Sequence, residues 1–264
     1  MIKWVVPIFC CALLIMSFAS CKKRAETTVE TTQNYPIGSK LSRIVLYESE
    51  TTQVPIGIVA DYEYDSQDRI RKISRPFLKD GIIDDITAYE IYLYNDDNQI
   101  VEIQNYNKSL KLGYLLLKKS SFLYDAKGNK IKELEYFPQI HTTETKNYYY
   151  EAGRLRKIDH LNPQNQLTHY IIYDYNPSGK LVKETLFESD NKMIQYTVYT
   201  YADDKNVLTT VYNPLNNTAI RQINKSFDRF GNLVVLSSKE LSLLSSMSNY
   251  THRYEYIAPP AIMY

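Results

Sequence analysis

The sequence predicts an all-β fold: a repetitive antiparallel meander forming one large twisted and curled sheet, an incomplete cylinder rather than a flat plate. Three observations carry that prediction. A strand–turn–strand phrase recurs with a tyrosine or phenylalanine anchor at Tyr64, Tyr94, Tyr124, Tyr150, Tyr175, Tyr201, Phe227 and Tyr256, at intervals of 25 to 30 residues, the length of a supersecondary repeat. Each anchor precedes a short run of turn-forming residues and then a second extended run. Tyrosine dominates the aromatics, with 25 residues against 8 phenylalanines and one tryptophan. A ring with a polar tip suits a sheet that is partly buried and partly wet.

In chain order, residues 1–20 read as a targeting segment. Lys3 is followed by an apolar run from Trp4 to Met16, broken only by Pro7, and then by Phe18-Ala19-Ser20-Cys21. The run is shorter than the roughly 20 residues needed to span a bilayer. This junction resembles a bacterial lipoprotein signal, which implies cleavage before Cys21 and acylation of that cysteine. Ordinary secretion, with cleavage at a small-residue site, is the open alternative. Cys10 and Cys11 leave with the signal, so Cys21 is the one cysteine of the mature chain; an internal disulfide or thiolate metal site is excluded. Residues 21–38 are polar, threonine-rich and without period, as in a flexible tether.

The β domain is expected over residues 39–257. Leu41 to Tyr47 reads as the second half of a repeat whose first half is missing, a capping edge. From Ile56 the units follow one another, their upstream strands ending in Tyr62/Tyr64, Tyr92/Tyr94, Phe122/Tyr124, Tyr148/Tyr150, Tyr173/Tyr175, Tyr199/Tyr201 and Tyr254/Tyr256. A spacing of two puts both rings on one face of a strand. Lys225 replaces the first aromatic before Phe227, which predicts a weaker or partly open unit. Asp or Asn opens most turns, and Gly128, Gly153, Gly179 and Gly231 fall where a positive φ is cheap only for glycine. Past the turns stand Ile70, Ile100, Ile131 and Leu155, each with a second apolar residue three further on. Either a bulge lies there or the two serve opposite faces. The links on the other side vary in length. Leu236 to Met247 reads as a short helix or long loop, and residues 258–264, with Pro259-Pro260, as a C-terminal tail.

Together these phrases resemble the tyrosine-aspartate (YD) repeat family, whose unit runs roughly Tyr-x-Tyr-Asp-x-x-Gly-Arg-Leu, over about residues 56 to 256. The nearest forms are Tyr62-x-Tyr64-Asp65 with Arg69-Ile70, Phe122-x-Tyr124-Asp125 with Gly128, and Phe227-Asp228 with Gly231-Asn232-Leu233. The chain is also similar to short exported lipoproteins of Bacteroidota. The resemblance implies the strand–turn–strand unit. Large members of the family enclose a toxin in a β-shell, a role this chain's few repeats do not reproduce.

Catalytic constellations are weak. His141, His160, His169 and His252 lack zinc-site spacing, although pairing would bring His160 near His169; solvent-facing edge positions are the expectation. Asp84-Asp85, Asp96-Asp97 and Asp203-Asp204 lack the oxygen density of a calcium loop and read as turn caps. Glu133 with Glu135, and Glu184 with Glu188, are the carboxylate pairs a glycosidase would need, but such pairs arise by chance in a chain this charged. Basic residues after the turns interleave with acidic ones, and the formal net charge is +1, so no nucleic-acid partner is expected. No metal and no cofactor are expected either. The tyrosine ladder is either packing or an open aromatic platform. The functional expectation is a cell-envelope lipoprotein, at the outer membrane and held to the bilayer through acylated Cys21. It would be a non-enzymatic binding or scaffolding module for a protein, glycan or peptide. A glycan-processing enzyme and an immunity protein against a secreted toxin are the alternatives.

Overall fold

The structure, a computed structural model, describes residues 35, 38–79, 82–203, 205–241 and 249–257. The signal segment, Cys21, most of the tether and the tail at 258–264 lie outside these residues. Sixteen strands alternate up and down: β1 (Lys40–Tyr47), β2 (Gly57–Tyr64), β3 (Ile70–Lys79), β4 (Ile82–Tyr94), β5 (Ile100–Ser109), β6 (Gly113–Tyr124), β7 (Lys130–Phe137) and β8 (Thr142–Glu151), then β9 (Arg154–Leu161), β10 (Leu167–Tyr175), β11 (Leu181–Glu188), β12 (Met193–Tyr201), β13 (Asn206–Asn213), β14 (Thr218–Phe227), β15 (Leu233–Glu240) and β16 (Tyr250–Ile257). Each pairs antiparallel with its chain neighbours, and β1 pairs with β16, so the sheet is a closed barrel.

Closure corrects the expectation of an incomplete cylinder, and its cause is visible in the register. Among the described residues β16, which carries the aromatic pair Tyr254/Tyr256, is followed by no downstream strand, and β1, a downstream strand, is preceded by no upstream one. They complete each other: Tyr254 faces Ile44 and Tyr256 faces Leu41, just as Tyr62 faces Ile73 and Tyr64 faces Ile70 within the β2–β3 hairpin. The capping edge expected at β1 is therefore paired. A closed barrel also removes the unpaired strand edge that would invite association.

Five of the turns after the anchors share one geometry. The first residue, Asp65, Asp125 or Asp228, accepts backbone N–H bonds at 2.9 Å from the residues two and four positions on. Its own N–H donates to the carbonyl four residues on, at 2.8 to 2.9 Å. The fourth residue is left-handed, filled by Asp68, Asn98, Gly128, Gly179 or Gly231. Asx side chains and glycine tolerate that conformation best.

Beyond the turn, one extra residue sits in the downstream strand. The register slips at Tyr64, Tyr94, Tyr124, Tyr150, Tyr175 and Phe227, and again at Tyr256 on the β16–β1 seam. The β12–β13 hairpin lacks the slip. These bulges explain the apolar spacing of three. With Arg71 extruded, Ile70 and Ile73 both face the tyrosine pair of β2, and Ile100 and Ile103 do the same for β4. The unit around Lys225 is not open as expected: β14 and β15 pair from Arg221–Glu240 to Phe227–Leu233. Leu236 falls inside β15, not in a helix, and residues 242–248 lie outside the described part.

Facing residues of an antiparallel pair share a side of the sheet, so the tyrosine pairs all lie on one face. That face is the concave one. Burial raises the phenol pKa of Tyr62, Tyr92, Tyr148, Tyr173, Tyr199 and Tyr254. Rings two strands apart also converge enough to feel one another, Tyr62 with both Tyr92 and Tyr254, and Tyr173 with both Tyr148 and Tyr199. Exposed apolar side chains at Leu93, Leu123, Tyr149 and Ile194 belong to the opposite register. Substantial contacts join only ladder neighbours, as expected for sixteen strands, which enclose a space too wide for side chains to fill.

Candidate functional site: the barrel interior

The first and second aromatics of each pair have different jobs. The second tyrosine uses its hydroxyl to bind the preceding unit. Tyr64 donates to the Leu41 carbonyl at 2.6 Å, Tyr94 to Ile70 at 2.8 Å and Tyr124 to Ile100 at 2.7 Å. Tyr150 donates to Lys130 at 3.1 Å, Tyr175 to Leu155 at 2.9 Å, Tyr201 to Leu181 at 2.8 Å and Tyr256 to Leu233 at 3.0 Å. Phe227 has no hydroxyl to contribute. Several of these rings also lie under a cation from the preceding turn: Arg69 over Tyr94 at 4.5 Å and Lys180 over Tyr201 at 5.0 Å. This second set is structural.

The first aromatic of each pair forms a ring lining the interior: Tyr62, Tyr92, Phe122, Tyr148, Tyr173, Tyr199 and Tyr254, with Lys225 in the remaining seat. Three of its hydroxyls donate to carboxylates, Tyr92 to Glu90 at 2.8 Å, Tyr148 to Glu133 at 2.6 Å and Tyr199 to Glu184 at 2.8 Å. Burial and the adjoining carboxylate together push these three phenols well above their ordinary range. Burial pushes Tyr173 up to about 12, with Glu184 adding to it.

The densest charge on this face spans β6 to β10. Glu133 and Glu135 are buried. Lys146 reaches Glu135 at 2.7 Å and Glu133 at 3.4 Å, Lys130 reaches Glu133 at 3.2 Å, and Lys118 caps Glu135. Burial alone would raise both carboxyls. The Tyr148 hydroxyl with Lys146 and Lys130 at Glu133, and Lys118 with Lys146 at Glu135, outweigh it and hold both below the usual carboxylate range. Lys130 also sits over the Phe122 ring at 4.9 Å and the Tyr148 ring at 4.2 Å.

This arrangement bears on the carboxylate pairs noted in the sequence. Glycoside hydrolysis needs one carboxyl kept protonated as an acid, and neither Glu133 nor Glu135 is in that state near neutral pH. Their chemistry is that of fixed anions. The sequence pattern had placed Ile131 and Leu134 as the post-turn apolar pair of β7. The bulge instead sets Lys130 opposite Tyr124 and Glu133 opposite Phe122. Counting from the turn with the extra residue included, the signal for the interior placement of Glu133 and Glu184 is their occupancy of the seat that Ile73, Ile103 and Ile158 hold elsewhere.

His160 faces His169 directly, and their rings stack at 4.1 Å. They lie on the interior face beside the β9–β10 link, and not at a sheet edge, since the closed barrel has none. Burial, then His169 and Lys146, pushes His160 down to about 4. Among the described residues no three His, Cys, Asp or Glu side chains gather as a metal set. Gly128, Gly153, Gly179 and Gly231 all have positive φ, from 75° to 85°, and lie on the turn rim away from the interior.

The outward face is also charged. Arg43 pairs with Asp61 at 3.0 Å, Lys72 with Glu63 at 3.3 Å, Lys119 with Glu102 at 3.4 Å and Lys157 with Asp159 at 2.8 Å. Among the described residues no helix is long and apolar enough to cross a membrane.

No family model and no curated protein matches this chain. Among solved structures it is similar to a porin-like protein from Bacteroides uniformis, at 9% identity and a TM-score of 0.41 over 82% of this chain and 96% of that one. A porin-like protein from Bacteroides vulgatus matches at 8% identity and 0.42, over 83% and 99%. A TcdB2-TccC3-TEV structure matches at 17% identity and 0.34, over 73% of this chain and 9% of that one.

Proposed function

We propose that this chain is a non-enzymatic binding or scaffolding barrel of the bacterial cell envelope, a short YD-repeat lipoprotein anchored at the outer membrane through acylated Cys21. Its ligand, a protein, glycan or extended peptide, is met in the barrel interior or on the rim of variable links. One observation carries the reading: a closed sixteen-strand barrel sets a ring of aromatic side chains and ion pairs on its interior face. Both members of the buried pair Glu133 and Glu135 are anionic, which leaves no acid for hydrolysis within that pair. The barrel stands in water rather than in lipid. A lipid-facing surface needs a continuous apolar band, and Arg43–Asp61, Lys72–Glu63 and Lys119–Glu102 interrupt the outward face.

Fractionation of Cys21→Ser beside the wild type tests the anchoring. The wild type should carry fatty acid label and leave the membrane only with detergent; Cys21→Ser should lose the label and become soluble. A variant that stays detergent-dependent would place the barrel itself in the bilayer and overturn the reading. Immobilised wild-type protein should also retain a specific component of an envelope extract.

A further inference from the structure

We propose that the interior ring is a binding site for a neutral glycan chain, an inference that rests on the binding reading above and chooses among its ligand classes. Closure supplies the first argument. One common way to hold an extended peptide is to add it as a strand to a free sheet edge, and here every strand already has two ladder partners. The interior therefore offers side chains and no backbone ladder. Side-chain recognition by flat aromatic faces and convergent polar groups suits a sugar polymer, whose rings present apolar faces for stacking and a rim of hydroxyls for hydrogen bonding.

Charge supplies the second argument. Most of the interior cations are matched by carboxylates, Arg75 with Glu90 at 3.1 Å, Lys146 with Glu135 at 2.7 Å and with Glu133 at 3.4 Å, and Arg221 with Glu240, while Lys225 makes no ion pair among the described residues. An anionic polymer would have to displace these carboxylates, and a cationic one these lysines and arginines. A neutral chain displaces neither and can hydrogen-bond to both.

The third argument is the division of hydroxyls. Tyr92, Tyr148 and Tyr199 donate to carboxylates. The phenols of Tyr62, Tyr173 and Tyr254 make no hydrogen bond among the described residues, although burial raises all three. They are the polar tips left for a ligand, each on an aromatic face. This gives a clean set of variants. Tyr62→Phe and Tyr173→Phe remove an uncommitted hydroxyl, whereas Tyr175→Phe removes one bonded to the Leu155 carbonyl.

The test is calorimetric titration of the full lipidated protein in detergent. The probes are neutral hexasaccharides (β-1,4-linked glucose, α-1,4-linked glucose, β-1,4-linked N-acetylglucosamine), an uncharged decapeptide and dextran sulfate. At least one hexasaccharide should bind, and its trisaccharide more weakly. Tyr62→Phe and Tyr173→Phe should each weaken that binding about three- to tenfold, the worth of one hydrogen bond, without moving the melting temperature. Tyr175→Phe should lower the melting temperature and leave affinity unchanged. Binding of the decapeptide or dextran sulfate without any hexasaccharide would overturn the glycan inference and leave the binding reading intact. Hexasaccharide affinity unmoved by Tyr62→Phe and Tyr173→Phe would overturn the interior location. No binding by any probe, together with no component retained from envelope extract, would overturn both.

Discussion

At Gly179 the backbone has a φ of 85°, and a β-carbon built there would meet the Arg154 guanidinium at 2.7 Å. The guanidinium can swing aside; the left-handed backbone cannot. Equivalent turns fill this position with Asp68 and Asn98, so Gly179→Asn should be mild while Gly179→Val costs more than about 1 kcal/mol. Equal melting temperatures for the two would contradict the turn assignment. A second expectation at this scale concerns pH. The His160 pKa is about 4, below its ordinary 6.5, so the unfolded chain takes up that proton first. The stability gained by keeping this imidazole neutral is complete above pH 6.5 and drains away between 6.5 and 4. Glu133 and Glu135, held below their ordinary 4.5, contribute above that value, and their share is lost as pH falls through their lowered folded pKa values. Melting temperature should therefore begin to fall below pH 6.5, and His160→Gln should make that first limb shallower while sparing the one below 4.5; His169 and His252, whose pKa values burial also lowers, supply the rest of it. A wild type whose melting temperature is flat down to pH 5 would refute the burial of this histidine. Turn chemistry was legible in the sequence because an Asx side chain and a glycine act on their own backbone. The approach of His169 to His160 was legible as well, because the two flank one link; the burial of His160 and its nearness to Lys146 were not, since they depend on the side chains of neighbouring strands.

The repeating element is a hairpin with one extruded residue, and the bulge determines which side chains reach the interior. Periodicity located the upstream strands through their aromatic pairs, and β14 through Phe227 alone. It misplaced the interior residues of β7, because a strand with an extra residue no longer alternates simply. Phe227 is the element-level exception. Its hydroxyl-bearing counterpart Tyr201 donates to the Leu181 carbonyl at 2.8 Å, and the matching acceptor for position 227 is the Val207 carbonyl. Phe227→Tyr should form the missing bond and raise stability by about 0.5 to 1.5 kcal/mol, read as a shift in the urea midpoint at unchanged slope. A destabilised variant would show that the β13–β14 hairpin, next to the one turn without a bulge, departs from the common geometry.

For the molecule as a whole, the two half-repeats at the ends were each readable, and their union was not. Joining β16 to β1 is a contact between residues some two hundred positions apart, which local patterns do not record. The seam nonetheless repeats the hairpin down to the bulge at Ser42. Where the connecting turn would be, Tyr35 lies buried against Tyr256, ring centroids 4.7 Å apart, its N–H donating to Asp228 at 2.8 Å and its carbonyl accepting from Asn232 at 3.2 Å. The tyrosine hydroxyls that tie each unit to its predecessor give the barrel a direction in time as well as in space. Tyr94 needs the carbonyl of Ile70 already in place, Tyr124 that of Ile100, and so on around the wall, always reaching back to an earlier part of the chain. A polypeptide delivered N-terminus first can thus add hairpins in the order in which they emerge, each docking on a finished template at small loop-closure cost. Only the last step, β16 meeting β1, must wait for the whole chain.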